Sequence, residues 1–131
     1  MILFLRLLFI AILASMLAVT SWASLHTPLT QIPREVFTHP WFIATLFDTY
    51  WAFITIYLWV AWKEQSLVAR ILWFVATLAL GNIATAAYLL RELFRVPTTA
   101  QVSDVVTRRN PGYILLPGLL TLAAVVVYVL A

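Results

Sequence analysis

The chain has 131 residues, of which 64% are hydrophobic and only 10% charged, whereas a soluble domain carries about 25% charged residues. So short a chain has too much surface per unit volume to hide that many apolar side chains from water, which excludes an ordinary soluble domain. A net charge of +3 without a basic tract excludes a nucleic-acid surface, and the absence of cysteine excludes disulfides and cysteine-ligated metals.

Four apolar runs follow one another along the chain, at residues 2–23, 41–62, 67–90 and 113–131. Each is close to the ~20 residues that cross ~30 Å of hydrocarbon as a helix. None alternates between polar and apolar residues as the strands of a membrane barrel do. We therefore predict an all-α integral membrane protein, a single domain over residues 1–131 in which four transmembrane helices form an antiparallel bundle.

The first run has some features of a signal peptide. Arg6 precedes an apolar stretch, and Ser21–Ala23 has the small residues of a cleavage site. We nevertheless interpret the run as a retained first helix. The loop that follows, residues 24–40, is predicted to lie irregularly at the surface. The loop of residues 96–112 could hold a short amphipathic turn whose valines meet the membrane surface.

The later runs have helix-terminal residues at their ends. Pro40 and Pro111 stand just before the second and fourth runs, where a missing N–H costs least. Ser66 and Asn110 are predicted N-caps of the third and fourth helices. The short segment at residues 63–66 predicts a tight turn, so the second and third helices should be antiparallel neighbours.

Four polar residues fall at a similar depth if the helices alternate in direction. Ser15, Asp48, Asn82 and Thr121 all lie about 10–12 Å below one membrane boundary at ~1.5 Å per residue. A carboxylate there costs about 2.5–3.5 kcal/mol, so Asp48 should face the bundle interior. It would serve either as a titratable site for protons or cations, or as a partner in interhelical hydrogen bonds, which are the commoner role.

The charged residues predict a sidedness. On the Y side, Arg6, Lys63, Glu64 and Arg70 should cluster, with Glu64 paired to Arg70 or Arg6. The opposite X side contains both loops and the larger number of cations, so the positive-inside rule favours a cytoplasmic X side. The X-side cations are Arg34, Arg91, Arg95, Arg108 and Arg109.

Two features are compatible with a cofactor, although none is specifically implied. His39 is a candidate axial ligand for haem or a pigment, but an interfacial position at the start of a helix is the better explanation. Phe47, Tyr50 and Trp51 belong to an aromatic-rich run that would suit a pigment, a quinone or a lipid. Lipid contact and helix packing are commoner causes of such density. We predict no metal site.

Three segments carry a resemblance to a known family. The segments Phe47–Trp51, Trp59–Glu64 and Leu80–Asn82, the last followed by Tyr88, resemble a short polytopic membrane family of unknown function found in bacteria and plants. The resemblance covers about residues 1–95. It implies a helical membrane fold and draws attention to Asp48, Glu64 and Asn82, but it implies no activity.

These observations favour a small non-enzymatic accessory subunit that packs against a larger membrane complex. Its partners would be membrane lipids and either another membrane protein or further copies of itself. One alternative is a small oligomeric transporter in which Asp48 carries a proton or a cation. Another is a binder of a lipid, isoprenoid or pigment on the aromatic face of the second helix.

Overall fold

The computed structural model describes residues 1–130. It is all-α, 82% helical and, over those residues, without strands. A 3-10 turn at Leu29–Gln31 accompanies the α-helices. These are α1 (Ile2–His26), α2 (Arg34–Thr38), α3 (Pro40–Lys63), α4 (Leu67–Leu80), α5 (Asn82–Phe94), α6 (Val102–Thr107) and α7 (Leu115–Leu130).

Two helices, α1 and α3, are long and apolar enough to cross a membrane. With 25 and 24 residues, they are about 36–38 Å long at ~1.5 Å per residue. Their outer surfaces keep large apolar side chains uncovered, such as Phe4 and Leu17 on α1. By length and composition, both helices are candidate membrane spans.

The prediction of four transmembrane helices is not supported, because the third apolar run is divided in two. The helix is interrupted at Gly81, whose φ of +53° lies in a region that side-chain-bearing residues rarely adopt. There α4 ends and α5 folds back beside it, so that Trp73 and Tyr88 meet edge to face with ring centroids 4.8 Å apart. The fourth run forms α7, whose 16 residues span only about 24 Å.

The break depends on close packing against α3. A Cβ on Gly81 would lie 2.5 Å from Cζ of Phe53. The α4–α5 hairpin therefore reaches along α3 only to about Phe53, the midpoint of that helix. The first half of α3 extends beyond the tip of the hairpin.

The buried core lies between the second half of α3 and the hairpin, where Trp73 and Tyr88 pack with small alanines. A second cluster joins α1 to α5 and α6 through Ile2, Leu93 and Val105. The α7 helix runs parallel to α4: Thr121 donates a hydrogen bond to the carbonyl of Leu72.

The hairpin also changes which loops share an end of the molecule. Residues 96–112 lie beside Lys63, which donates hydrogen bonds to main-chain carbonyls in this loop. The loop of residues 24–40 joins α1 to α3 at the opposite end. The prediction that both loops share an X side is thus wrong, because it assumed a straight helix through Gly81.

Candidate functional site

A network of buried charged and polar side chains lies where α3 ends. It joins Lys63 and Glu64, at the end of α3, to the last turns of α5 and to Asn110 in the loop before α7. Lys63, Glu64 and Asn110 have no exposed surface, and Glu92 of α5 is 1% exposed. We call this set the terminal network; its members are Lys63, Glu64, Tyr88, Arg91, Glu92, Arg95 and Asn110.

Lys63 is paired with one carboxylate and with two main-chain carbonyls. Its Nζ lies 2.9 Å from Oε2 of Glu92. It also donates to the carbonyl oxygens of Val105 and Arg108, the latter at 2.6 Å. An ammonium group has three donors and no acceptor; two of its donors are hydrogen-bonded here, and the contact with Glu92 is an ion pair whose Oε2 accepts no hydrogen bond. The charge of Lys63 therefore binds the α6 segment to the ends of α3 and α5.

Glu64 is the acceptor at the centre of the network. Its Oε1 accepts hydrogen bonds from Oη of Tyr88 at 3.0 Å and from Nδ2 of Asn110 at 2.8 Å. A guanidinium nitrogen of Arg91 lies 3.4 Å from the same oxygen. A tyrosine hydroxyl keeps its proton at physiological pH, so Tyr88 acts as a donor toward this carboxylate.

Asn110 connects the two carboxylates to the arginines. Its amide nitrogen also donates to Oε1 of Glu92 at 3.0 Å, and its Oδ1 accepts from Arg95 at 2.9 Å. Its main chain pairs with α3's end, donating to the carbonyl of Lys63 at 2.8 Å and accepting from the N–H of Gln65 at 3.0 Å. An amide side chain can donate to carboxylates and accept from a guanidinium at the same time.

The chemistry of the network favours a structural role. Its two carboxylates are held by cations and hydrogen bonds inside the protein, with no exposed face toward a substrate. Within residues 1–130, no group of three His, Asp or Glu side chains is placed to hold a metal ion. Buried ion pairs cost several kcal/mol of desolvation per ion, which good geometry recovers only in part. Such a network fixes the relative positions of the helix ends.

The predicted Y-side cluster is brought together in part. Arg70 donates to the main-chain oxygen of Glu64 at 2.7 Å, and Lys63 precedes Glu64 in the chain. Arg6 instead donates to the carbonyls of Leu93 and Val96, at the end of α5. The carboxylate of Glu64 contacts Tyr88, Arg91 and Asn110; it contacts neither Arg70 nor Arg6.

The four residues of the predicted polar layer are not joined by any hydrogen bond between their side chains. Ser15, Asp48 and Asn82 are exposed on the chain, and Ser15 donates to the carbonyl of Ile12 in its own helix. Thr121 donates to α4. The shared depth assumed four straight helices, and the break at Gly81 puts Asn82 at the tip of a hairpin.

Two further predicted residues have other positions. His39 is exposed at the start of α3, beside Glu35 and Phe42. Ser66 is confirmed as an N-cap, accepting a hydrogen bond from the N–H of Ala69 at 3.4 Å. Asn110 does not cap α7, which begins five residues later, but belongs to the terminal network.

Sequence reasoning did not connect Tyr88, Arg91, Glu92, Arg95 and Asn110 with Glu64. It assigned Arg91 to the membrane face opposite Lys63, because it read residues 67–90 as one span. One signal was available: Gly81 inside an apolar run is a typical position for a break.

The comparisons with known proteins identify a family without a known activity. A family model with the description "Protein of unknown function (DUF1475)" matches residues 1–110. The matched residues contain the whole terminal network, whereas α7 lies beyond them. No curated protein and no solved structure matches the chain.

Proposed function

Since this chain belongs to the DUF1475 family, of unknown function, we propose its role from its own geometry. It is a small non-enzymatic subunit of a membrane complex: α1 and α3 cross the bilayer, and the first half of α3 binds a transmembrane helix of another protein. The observation that supports this proposal is that the side chains of this half of α3 are exposed. Between Trp41 and Trp51, every side chain except Phe42 and Thr49 is exposed.

Asp48 determines which kind of partner helix this exposed surface can bind. It lies eight residues into α3, about 12 Å along a helix about 36 Å long, at ~1.5 Å per residue. It is exposed, and an acid at such a depth costs about 2.5–3.5 kcal/mol unless it is paired. The partner helix therefore presents a hydrogen-bond donor or a cation at the level of Asp48.

The surroundings of Asp48 suit helix packing. Phe47 and Trp51 are 64% and 62% exposed, and with Leu46, Tyr50 and Ile54 they line a shallow apolar groove on one side of α3. Large aromatic anchors beside a single polar contact are typical of specific interfaces. The groove gives the partner apolar contact area, and Asp48 selects for a polar match.

The proposal also includes a topology. The α4–α5 hairpin enters the bilayer from the end that carries the terminal network and returns to it. Main chain of this kind is tolerated at membrane depth where protein covers it, and Gly81 at the tip is itself buried against α3. Residues 63–66 and 95–114 would then lie on the same side of the membrane.

The test is purification in mild detergent from the native membrane, comparing Asp48→Asn and Asp48→Leu with the wild type. We expect a second membrane protein to co-purify with the wild type. Asp48→Asn keeps a hydrogen-bonding side chain and should retain most of the partner. Asp48→Leu should lower partner recovery about 3- to 30-fold, since one interhelical hydrogen bond is worth about 0.6–2 kcal/mol.

The matched control is Glu35→Gln, which removes an exposed carboxylate from α2 outside the spanning helices. It should leave partner recovery unchanged. A wild-type protein that migrates as a lone monomer, or that associates only with its own copies, would contradict the proposal.

A second candidate function is proton- or cation-coupled transport by an oligomer. It is favoured by the same observation, an ionisable Asp48 on a spanning helix without a side-chain partner among residues 1–130. The two candidates differ in the Asp48→Asn variant, which should abolish flux in a transporter but preserve the binding of a partner. A lipid or pigment that co-purified in the aromatic groove would instead favour the binder.

A further inference from the structure

Seven of the chain's eight cationic side chains gather at the end of the molecule that contains the terminal network. This asymmetry follows from the hairpin, which returns the end of α5 to the end of α3. Only Arg34 lies at the opposite end. The seven are Arg6, Lys63, Arg70, Arg91, Arg95, Arg108 and Arg109.

The excess of positive charge is not cancelled within the chain. Three of its five carboxylates, Glu64, Glu92 and Asp104, share this end with the seven cations, which leaves a formal charge of +4 there. The opposite half has one cation and the two remaining carboxylates. The field of the molecule is therefore polarised along its helices.

Some of these cations are available to an outside ligand. The ammonium group of Lys63 is already paired within the terminal network, and the guanidinium of Arg6 is hydrogen-bonded to carbonyls at the end of α5. Arg108 and Arg109 are exposed, and Arg95 is 24% exposed. Arg91, by contrast, is only 11% exposed, and its Nη2 is buried without a hydrogen-bond partner.

The arginines are placed against aromatic rings that suit a membrane interface. The guanidinium of Arg109 lies 4.8 Å from the ring centroid of Trp62, and that of Arg95 lies 4.8 Å from that of Tyr113. Both rings are about half exposed. Trp and Tyr concentrate at the headgroup level of bilayers, so the guanidinium groups are held at that level too.

We propose that these residues form a binding surface for the phosphate headgroups of anionic phospholipids. The surface consists of Arg95, Arg108 and Arg109 with Trp62 and Tyr113, and we call it the headgroup surface. Guanidinium groups pair with phosphate by two parallel hydrogen bonds. The cytoplasmic leaflet is the anionic one, and the positive-inside rule places a cation-rich end there.

The choice of lipid over an acidic protein follows from what borders the surface. Directly after Tyr113, Ile114 and Leu115 are exposed apolar side chains. A ligand bound here would contact charge and apolar surface side by side, as a phospholipid requires and an acidic peptide does not. This inference rests on the membrane location in the proposed function, but not on Asp48 or its partner.

The experiment reconstitutes the full chain into vesicles of phosphatidylcholine and phosphatidylglycerol, extracts it in mild detergent and measures the lipids that remain bound by mass spectrometry. We expect phosphatidylglycerol to be enriched over its share in the vesicles. Arg108→Gln with Arg109→Gln should lower the enrichment about fivefold per arginine, which corresponds to about 1 kcal/mol per charge near an anionic surface. Replacing both by lysine should restore most of it.

The control variant is Arg34→Gln, which removes the exposed arginine at the opposite end and should leave the enrichment unchanged. Equal retention of the two lipids by the wild type would overturn the proposal, as would an equal loss in Arg34→Gln. Displacement of the bound lipid by inorganic phosphate would identify a site for free anions and would also overturn it. Resistance of the chain to alkaline extraction from the vesicles separates these outcomes from a failure of the membrane location.

Discussion

Lys63 shows that the role of a side chain can depend on residues that lie far from it in the sequence. In the sequence it belongs to a polar turn, where lysines are usually solvated. In the structure its ammonium group is completely buried, with Glu92 and two carbonyl oxygens as partners. The partners come from residues about 30–45 positions away along the chain, so local sequence does not reveal them.

At this scale we predict that Lys63→Met destabilises the protein by about 3–5 kcal/mol, because it leaves the Glu92 carboxylate buried without its cation. Adding Glu92→Gln should recover part of that loss, since the uncompensated charge is then removed. The measurement is the free energy of unfolding in detergent, by denaturant titration. Arg34→Met, at an exposed position, should change it by no more than about 0.5 kcal/mol. Strict additivity of the Lys63 and Glu92 substitutions would show that the two groups are not coupled.

Among the helices, the decisive feature is the division of one apolar run into α4 and α5. The run has the length and composition of a single transmembrane helix, and both halves have the small residues and aromatics of a buried helix. The division occurs at Gly81, where the backbone turns and the ring of Phe53 leaves no room for a side chain. A glycine within an apolar run is also compatible with a continuous helix, so the sequence alone left the break undecided.

We expect Gly81→Ala to destabilise the protein by about 1–3 kcal/mol, since the new Cβ would meet the Phe53 ring and the backbone is already at positive φ. In a Phe53→Leu background the loss should be smaller but not zero, because the backbone strain persists. Gly118→Ala is the matched control: Gly118 lies in α7 with open space around it, so alanine should be neutral or stabilising by about 0.5–1 kcal/mol. Equal effects at the two glycines would argue against the hairpin.

For the whole molecule, the hairpin determines which segments share an end. A continuous third helix would put residues 65 and 99 at opposite ends. The hairpin puts them at the same end, together with seven cations, and puts residue 30 at the other. The distribution of charge, and with it the headgroup surface, depends on this one reversal of the chain.

Accessibility labelling should distinguish the two topologies, and the chain has no native cysteine to interfere. We expect single cysteines at Gln65 and Thr99 to react with a membrane-impermeant maleimide from the same side of sealed vesicles. A cysteine at Thr30 should react only from the other side. All three positions are exposed. Labelling of positions 30 and 99 from a common side would refute the hairpin topology.

The sequence by itself determined the all-α class and the lengths of α1 and α3, because apolar composition and run length are local properties. It also indicated the Ser66 cap and the turn after Lys63, which depend on a few adjacent residues. Only the tertiary structure decided that residues 67–94 fold back at Gly81 and that Glu64, Glu92 and Asn110 meet. The physical reason is that a backbone reversal and a buried ion pair are each stabilised by residues far away in the sequence. Gly81 turns against Phe53, and the carboxylate of Glu92 pairs with Lys63 at the end of α3.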